Sequence, residues 1–93
     1  MKIYQSRTFE KKIKKFNKKE KIALDNEIKK IVQEPSVGTE KKGDLRGVFV
    51  HKFKIQHQLY LLSYRTVSDG LELITFGPHE NYYRDLKTYL KKR

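Results

Sequence analysis

Ninety-three residues, 37% of them hydrophobic and 35% charged, suffice for one small core and not for two, so residues 1–93 read as a single domain. Twenty-two Lys and Arg against eleven Asp and Glu leave a formal charge of +11, which repels itself and points to a polyanionic or acidic partner. The absence of cysteine excludes a disulfide framework, and no apolar run is long enough for a membrane span or a secretory signal, so the expectation is a soluble cytoplasmic protein without a membrane partner.

Disorder is the competing reading of so charged a chain, but six Tyr, five Phe and clear apolar periodicity argue for a core. Met1 to Tyr4 reads as a short strand. Ser6 then offers a helix cap before Phe9, Ile13 and Phe16, which recur at spacings of four and three and form one apolar stripe. Lys11, Lys12, Lys14 and Lys15 fall off that stripe and are expected to face water as a cationic surface. Asn17 with Glu20 three places on has the pattern of a capping box, so a second helix starts there, with Leu24, Ile28, Ile31 and Val32 inward. It should stop before Pro35, which lacks an amide and disfavours helical geometry in Glu34. Residues 35–47, with Pro35, Gly38, Gly43 and Gly47, read as an exposed loop.

The periodicity then changes from helical to alternating. Phe49, His51, Phe53 and Ile55 fall on one side of a strand, and Val48, Val50, Lys52 and Lys54 on the other. A turn at 56–58 leads to a second strand over 59–65, and Asp69-Gly70 is a hairpin signal before a third over 71–76. Gly77-Pro78 is expected to break the sheet, and residues 79–92 read as a terminal helix with Tyr82, Leu86 and Tyr89 on one side. The fold class is therefore α+β, in the order β-α-α-β-β-β(-α): an antiparallel sheet with an N-terminal helical hairpin on one face and the other face open. Divided after Lys42, the helical half holds 13 basic and 6 acidic residues and the strand half 9 and 5, giving +7 and +4. Both halves are cationic, which suits a partner that embraces the whole domain.

Lys52 and Lys54, two apart on a strand, project from one face, where two ammonium groups attract phosphate; the alternative is a pair of solvated lysines on an edge strand. Arg65 lies on the strand face of Leu59, Leu61 and Ser63 and could stand near those lysines, where its planar fork would suit a phosphate; the alternative is a strand-end salt bridge, for example to Asp69. His79 follows Gly77-Pro78 at a helix start and is the best general-acid candidate, unless it simply bonds a carbonyl. Tyr83 sits one helical turn later and could stack on a base; one of Tyr82 and Tyr83 packs against the sheet. His51 reads as a semi-buried packing residue and His57 as an exposed turn tip. Walker-type, dinucleotide-binding, zinc-helix and nucleophile-elbow patterns are missing, so a mechanism without metal or cofactor is expected. Lysines, an arginine, a histidine and a tyrosine can cleave RNA by activating a 2′-hydroxyl, stabilising phosphorane charge and protonating the leaving oxygen.

The element order, together with Asp44-Leu45-Arg46-Gly47 leading into the strand over 48–55 and the ending Gly77-Pro78-His79-Glu80-Asn81-Tyr82-Tyr83-Arg84-Asp85-Leu86, resembles the RelE/ParE superfamily of bacterial type II toxin–antitoxin toxins. The ending is similar to the His-bearing segment of the RelE-like and YafQ-like ribonuclease branches. The resemblance implies a four-stranded sheet with its first strand in the middle, and cleavage of messenger RNA in the ribosomal A site, inhibiting translation. It places Lys52 and Lys54 at the family's strand lysines, His79 at a position held by arginine or histidine, and Tyr83 near the terminal aromatic that stacks on substrate. The family's middle-strand arginine would fall at Leu61, which cannot hold a phosphate; Arg65 shares that face four residues on. The implied partners are a cognate antitoxin, the ribosome with its messenger RNA, and operator DNA through the antitoxin complex. Lys11, Lys12, Lys14, Lys15, Lys18, Lys19 and Arg46 would then contact RNA backbone or ribosome. Two other readings stand beside the nuclease: the ParE branch, which inhibits DNA gyrase without cutting RNA, and a plain basic RNA-binding module.

Overall fold

Ser6 ends one element and starts the next. Its extended backbone closes the first strand, β1 (Lys2–Gln5), and its side chain accepts from the Phe9 amide at 3.0 Å to cap α1 (Arg7–Ile13). The computed structural model describes residues 2–78 apart from 42, 44 and 45. Phe9 is fully buried, whereas Phe16, expected on the same helix, lies past its end and reaches the core from the connecting turn. The predicted capping box is present: the Asn17 side chain accepts from the Glu20 amide at 2.8 Å, and Glu20 accepts from the Asn17 amide at 2.9 Å. From there α2 (Lys18–Gln33) presents Leu24 and Ile31 to the core and stops ahead of Pro35.

The segment expected to be a plain loop has structure of its own. A 3₁₀ turn (Pro35–Val37) precedes a two-residue strand, β2 (Thr39–Glu40), and Tyr64 anchors both: its hydroxyl donates to the Pro35 carbonyl at 2.6 Å and accepts from the Gly38 amide at 3.0 Å. Three longer strands follow as a meander, β3 (Phe49–Ile55), β4 (Gln58–Val67) and β5 (Gly70–Pro78). The sheet order is β1-β5-β4-β3-β2. This is the expected α+β architecture with the helical hairpin on one face, and it differs from expectation in four places.

First, the described residues form five strands, and β1 is an edge strand, parallel to β5, rather than a central one. That pairing needs Gly70: a Cβ there would lie 1.8 Å from the Lys2 carbonyl oxygen. Second, Gly77-Pro78 does not break the sheet; β5 runs through it, with Leu61 opposite Gly77 and Tyr60 opposite Pro78. Proline is tolerated because it is the last strand residue and β1 covers only Gly70 to Leu73. Third, Ser6 and Lys12 finish that uncovered edge, the Ser6 hydroxyl bonding the Ile74 carbonyl and Lys12 Nζ donating to the Phe76 carbonyl at 3.0 Å. Lys12 is therefore half-buried against the sheet and not on a water-facing lysine surface.

Fourth, the face away from the helices is not open at its centre. The helix face packs Phe53, Ile55, Leu62, Tyr64, Leu71, Leu73 and Phe76 onto Phe9, Leu24 and Ile31. Strand alternation puts Val50, Leu61 and Ser63 on the second face, and all three are buried, as are Ile74 and Thr75. An extra residue in β5, Ile74, makes a bulge where the pairing shifts between Ser63 and Tyr64. The expected terminal helix lies outside the described residues.

Candidate functional site

The second face carries the two lysines that the alternation of β3 picks out. Lys52 and Lys54 are both exposed, on the same side of the strand, while Phe53 between them is buried on the helix side. Among the described residues their stretch of β3 has no strand on its outer edge, because β2 pairs only with Phe49 and Val50. Across the sheet, Lys52 is level with Leu61 and Gly77, and Lys54 with Leu59. Two ammonium groups thus stand over an apolar row with no carboxylate partner among the described residues. Such a pair repels itself and attracts an anion such as a phosphodiester.

Arg65 does not join them. It is four residues along β4 from the partner of Lys52, about 13 Å at the rise of an extended strand. Past the last β3 pairing at Tyr64, it faces Glu72 on β5, with Arg65 Nε donating to Glu72 Oε1 at 2.5 Å. Of the two readings of Arg65, the structure shows the salt bridge, to Glu72 and not to Asp69, which instead accepts from the Tyr4 hydroxyl at 2.8 Å. Leu61, where the resemblance expects an arginine, is fully buried.

His51 is a packing residue, as its alternation with Phe49 and Phe53 suggests. Its ring stacks on Phe53 with centroids 5.9 Å apart, and Nε2 lies 2.8 Å from Glu27 Oε1 on α2. Burial raises the Glu27 carboxyl's pKa, but hydrogen bonds from His51 and Lys30, with their charges, outweigh it and hold it below the usual 4.5. Glu27 is the polar tie between helix and sheet that sequence reasoning missed; its place on the His51 side of α2 is visible only once α2 lies across β3. His57 is exposed at the turn, and Lys11, Lys14, Lys15, Lys18, Lys19 and Arg46 are exposed as expected. His79, Tyr82 and Tyr83 lie outside the described residues.

A second feature sits at the same end of the sheet, on the helix side. Lys12, Lys15, Phe16, Tyr60, Phe76, Gly77 and Pro78 line a cleft of about 310 Å³. Phe16 meets Tyr60 and Phe76 edge-on, at 5.7 and 5.0 Å, and Tyr60 stacks on Phe53 at 5.8 Å. Burial, and then the negative charge of Glu20, raise the Tyr60 pKa above the ordinary phenol value. The only sequence signal for this cleft was the Phe16 stripe, read as core alone.

Residues 3–87 match the family model described as ParE-like toxin of type II bacterial toxin–antitoxin system. The chain belongs to this family of toxins. The expected membership of the RelE/ParE superfamily is thereby met, and solved structures agree with it in fold. The toxin superposes on E. coli RelE in the intact E. coli RelBE toxin–antitoxin complex with a TM-score of 0.65 at 16% identity, covering 84% of this chain and 95% of that one. The isolated E. coli RelE toxin gives 0.63 at 16% identity over 92% and 95% of the two chains, and a free mutant E. coli RelE gives 0.70 at 15% identity over 98% and 94%. At these identities the likeness is one of fold. Comparison with curated proteins finds no match. No helix among the described residues of the toxin is long and apolar enough to cross a membrane.

Proposed function

We propose that this toxin is a metal-independent endoribonuclease that cleaves messenger RNA in the ribosomal A site and so inhibits translation. The observation that carries this reading is the exposed Lys52 and Lys54 pair on β3, which among the described residues is neither neutralised nor covered by a strand on its outer edge. A scissile phosphate bound there would have the pair beside its non-bridging oxygens. The lysines lower the cost of ionising the neighbouring 2′-hydroxyl, whose proton passes to water, and offset the charge that builds as its oxygen attacks phosphorus. The 5′-oxygen then leaves with a proton, leaving a 2′,3′-cyclic phosphate; His79 is the candidate donor, and Tyr83 the candidate stacking partner for a flanking base. Arg65, tied to Glu72, is not assigned a role in this chemistry.

Affinity for the ribosome is assigned to Lys11, Lys14, Lys15, Lys18, Lys19 and Arg46, which offer backbone charge contacts without reading sequence. A cognate antitoxin with an acidic segment is the matching partner for a chain of +11, and the complex would meet operator DNA through it. The site of action in this reading is the cytoplasm.

Brief induction without antitoxin, followed by mapping of messenger-RNA 5′ ends, tests the proposal. New ends within translated frames that vanish in a folded Lys52→Ala/Lys54→Ala variant, and fall by about 10²- to 10⁴-fold with His79→Ala, support it. The ParE-like family match favours a second reading, inhibition of DNA gyrase. Growth arrest with unchanged 5′ ends and altered plasmid supercoiling would establish that one instead, and normal growth would leave a basic RNA-binding module.

A further inference from the structure

The helix-side cleft is separate from the two lysines and is not used by the reaction above. Its walls are aromatic rings from three elements that converge: Phe16 from the turn after α1, Tyr60 from the start of β4 and Phe76 from the end of β5. Phe16 and Tyr60 are only partly buried, so ring surface is left facing the opening. Among the described residues the charged side chains lining the cleft are Lys12 and Lys15. Lys12 is held in place by the Phe76 carbonyl at 3.0 Å, which fixes one cation at the rim, while Lys15 is exposed. Glu20, the carboxylate felt by Tyr60, is engaged by the Asn17 amide in the helix cap.

The register relates the cleft to the lysine pair. Phe53, Tyr60 and Pro78 form one row across β3, β4 and β5, and Lys52, Leu61 and Gly77 form the next, with side chains on the opposite face. The two features therefore lie at one end of the sheet, on either side of it. Among the described residues no strand pairs with the outer edge of β3 beyond Val50, so a single strand with a phosphate on Lys52 and Lys54 has an edge to cross toward Tyr60.

We propose that this cleft binds one unstacked nucleobase of a single-stranded RNA, the base stacking on one ring of the near-perpendicular Phe16–Tyr60 pair and meeting the other edge-on, with its flanking phosphate resting on Lys15. The choice of ligand rests on the RNA-directed reading above. Ring walls with cations at the rim suit a nucleotide, whereas an acidic amphipathic helix would need a longer groove for its successive anchors. The cleft volume of about 310 Å³ lies at the small end of ligand sites, which suits one nucleotide and not a helix.

The test uses the full chain and a fluorescent single-stranded RNA carrying 2′-O-methyl groups throughout, which cannot be cleaved. Binding followed by anisotropy should weaken about 5- to 150-fold in Tyr60→Leu and in Phe16→Leu, the range expected for loss of one stacked base. Lys15→Ala should lower the slope of log affinity against log salt by about 0.7 and leave circular dichroism unchanged. Because the aromatic variants can also loosen the core, a 4-thiouridine probe is photo-crosslinked to the wild-type protein, with Tyr60 or Phe16 expected as the attachment point. Unchanged affinity in folded aromatic variants, or crosslinks confined to other residues, overturns the proposal. Protection of Phe16 and Tyr60 by an acidic peptide but not by the RNA also overturns it and assigns the cleft to a protein partner. An uncleavable probe keeps the outcomes apart: crosslinks in the cleft without cellular cleavage would defeat the nuclease and spare the cleft, and cleavage without crosslinks there would do the reverse.

Discussion

Gly70→Ala isolates the contact that makes this sheet mixed and not purely antiparallel. Gly70 has no positive φ, so alanine meets no backbone strain of its own; the whole effect is the new methyl group, 1.8 Å from the Lys2 carbonyl oxygen and 2.7 Å from its carbon. Those atoms are backbone and cannot rotate away, so β1 must leave β5. The loss includes the Lys2 amide bond to Asp69 and the Ser6 amide bond to Leu73, both 3.0 Å, and the ladder over the four register pairs between them. For about four such bonds at about 0.5–1.5 kcal/mol net each, release of the strand costs about 2–6 kcal/mol. Gly77→Ala is the internal comparison: its new methyl would meet the flexible end of Lys12 at 3.4 Å, and the expected cost is under about 1 kcal/mol. Urea unfolding followed by tyrosine fluorescence measures both, and amide exchange at Ile3, Tyr4 and Gln5 reports whether β1 is still paired. A Gly70→Ala protein within about 0.5 kcal/mol of the wild type, with those amides still protected, would refute the reasoning.

Other expectations follow from contacts elsewhere in the fold. Tyr64→Phe removes the hydroxyl shared by the Pro35 carbonyl and the Gly38 amide; a loss of about 1–3 kcal/mol is expected, with faster exchange of the Gly38 amide in the same sample. Glu27 has a lowered folded-state pKa, so its contribution is complete above about 4.5 and fades as the pH falls through the folded value; Glu27→Gln should flatten the acid side of the stability profile, and a slope unchanged there would remove the His51 tie. Arg65→Ala breaks the bridge to Glu72 and should lower stability by about 1 kcal/mol while growth arrest on induction persists; loss of arrest in a folded variant would return Arg65 to the site.

Local chemistry accounts for what the chain showed of itself in advance. The capping box at Asn17 and Glu20, the stop before Pro35 and the alternation that leaves Lys52 and Lys54 exposed on either side of Phe53 all depend on neighbours within a few residues, so periodicity and caps reveal them. The element order and the ending from Gly77 were enough to suggest the superfamily that the match over residues 3–87 bears out.

Long-range pairing decided the rest. Nothing near Lys2 says that it will lie beside Gly70, and nothing near Arg65 says that Glu72, across a bulged hairpin, will claim it before a phosphate can. Lys12 reads as one more surface lysine until the uncovered edge of β5 gives it a carbonyl to bind, and Phe16 and Tyr60, 44 positions apart, meet at a cleft only because the turn after α1 lies over the start of β4. A sequence displays the interactions that a residue makes with its own turn or strand; which strand lies beside it, and therefore which charges are neutralised and which stay available to a ligand, is set by the packing of the whole sheet.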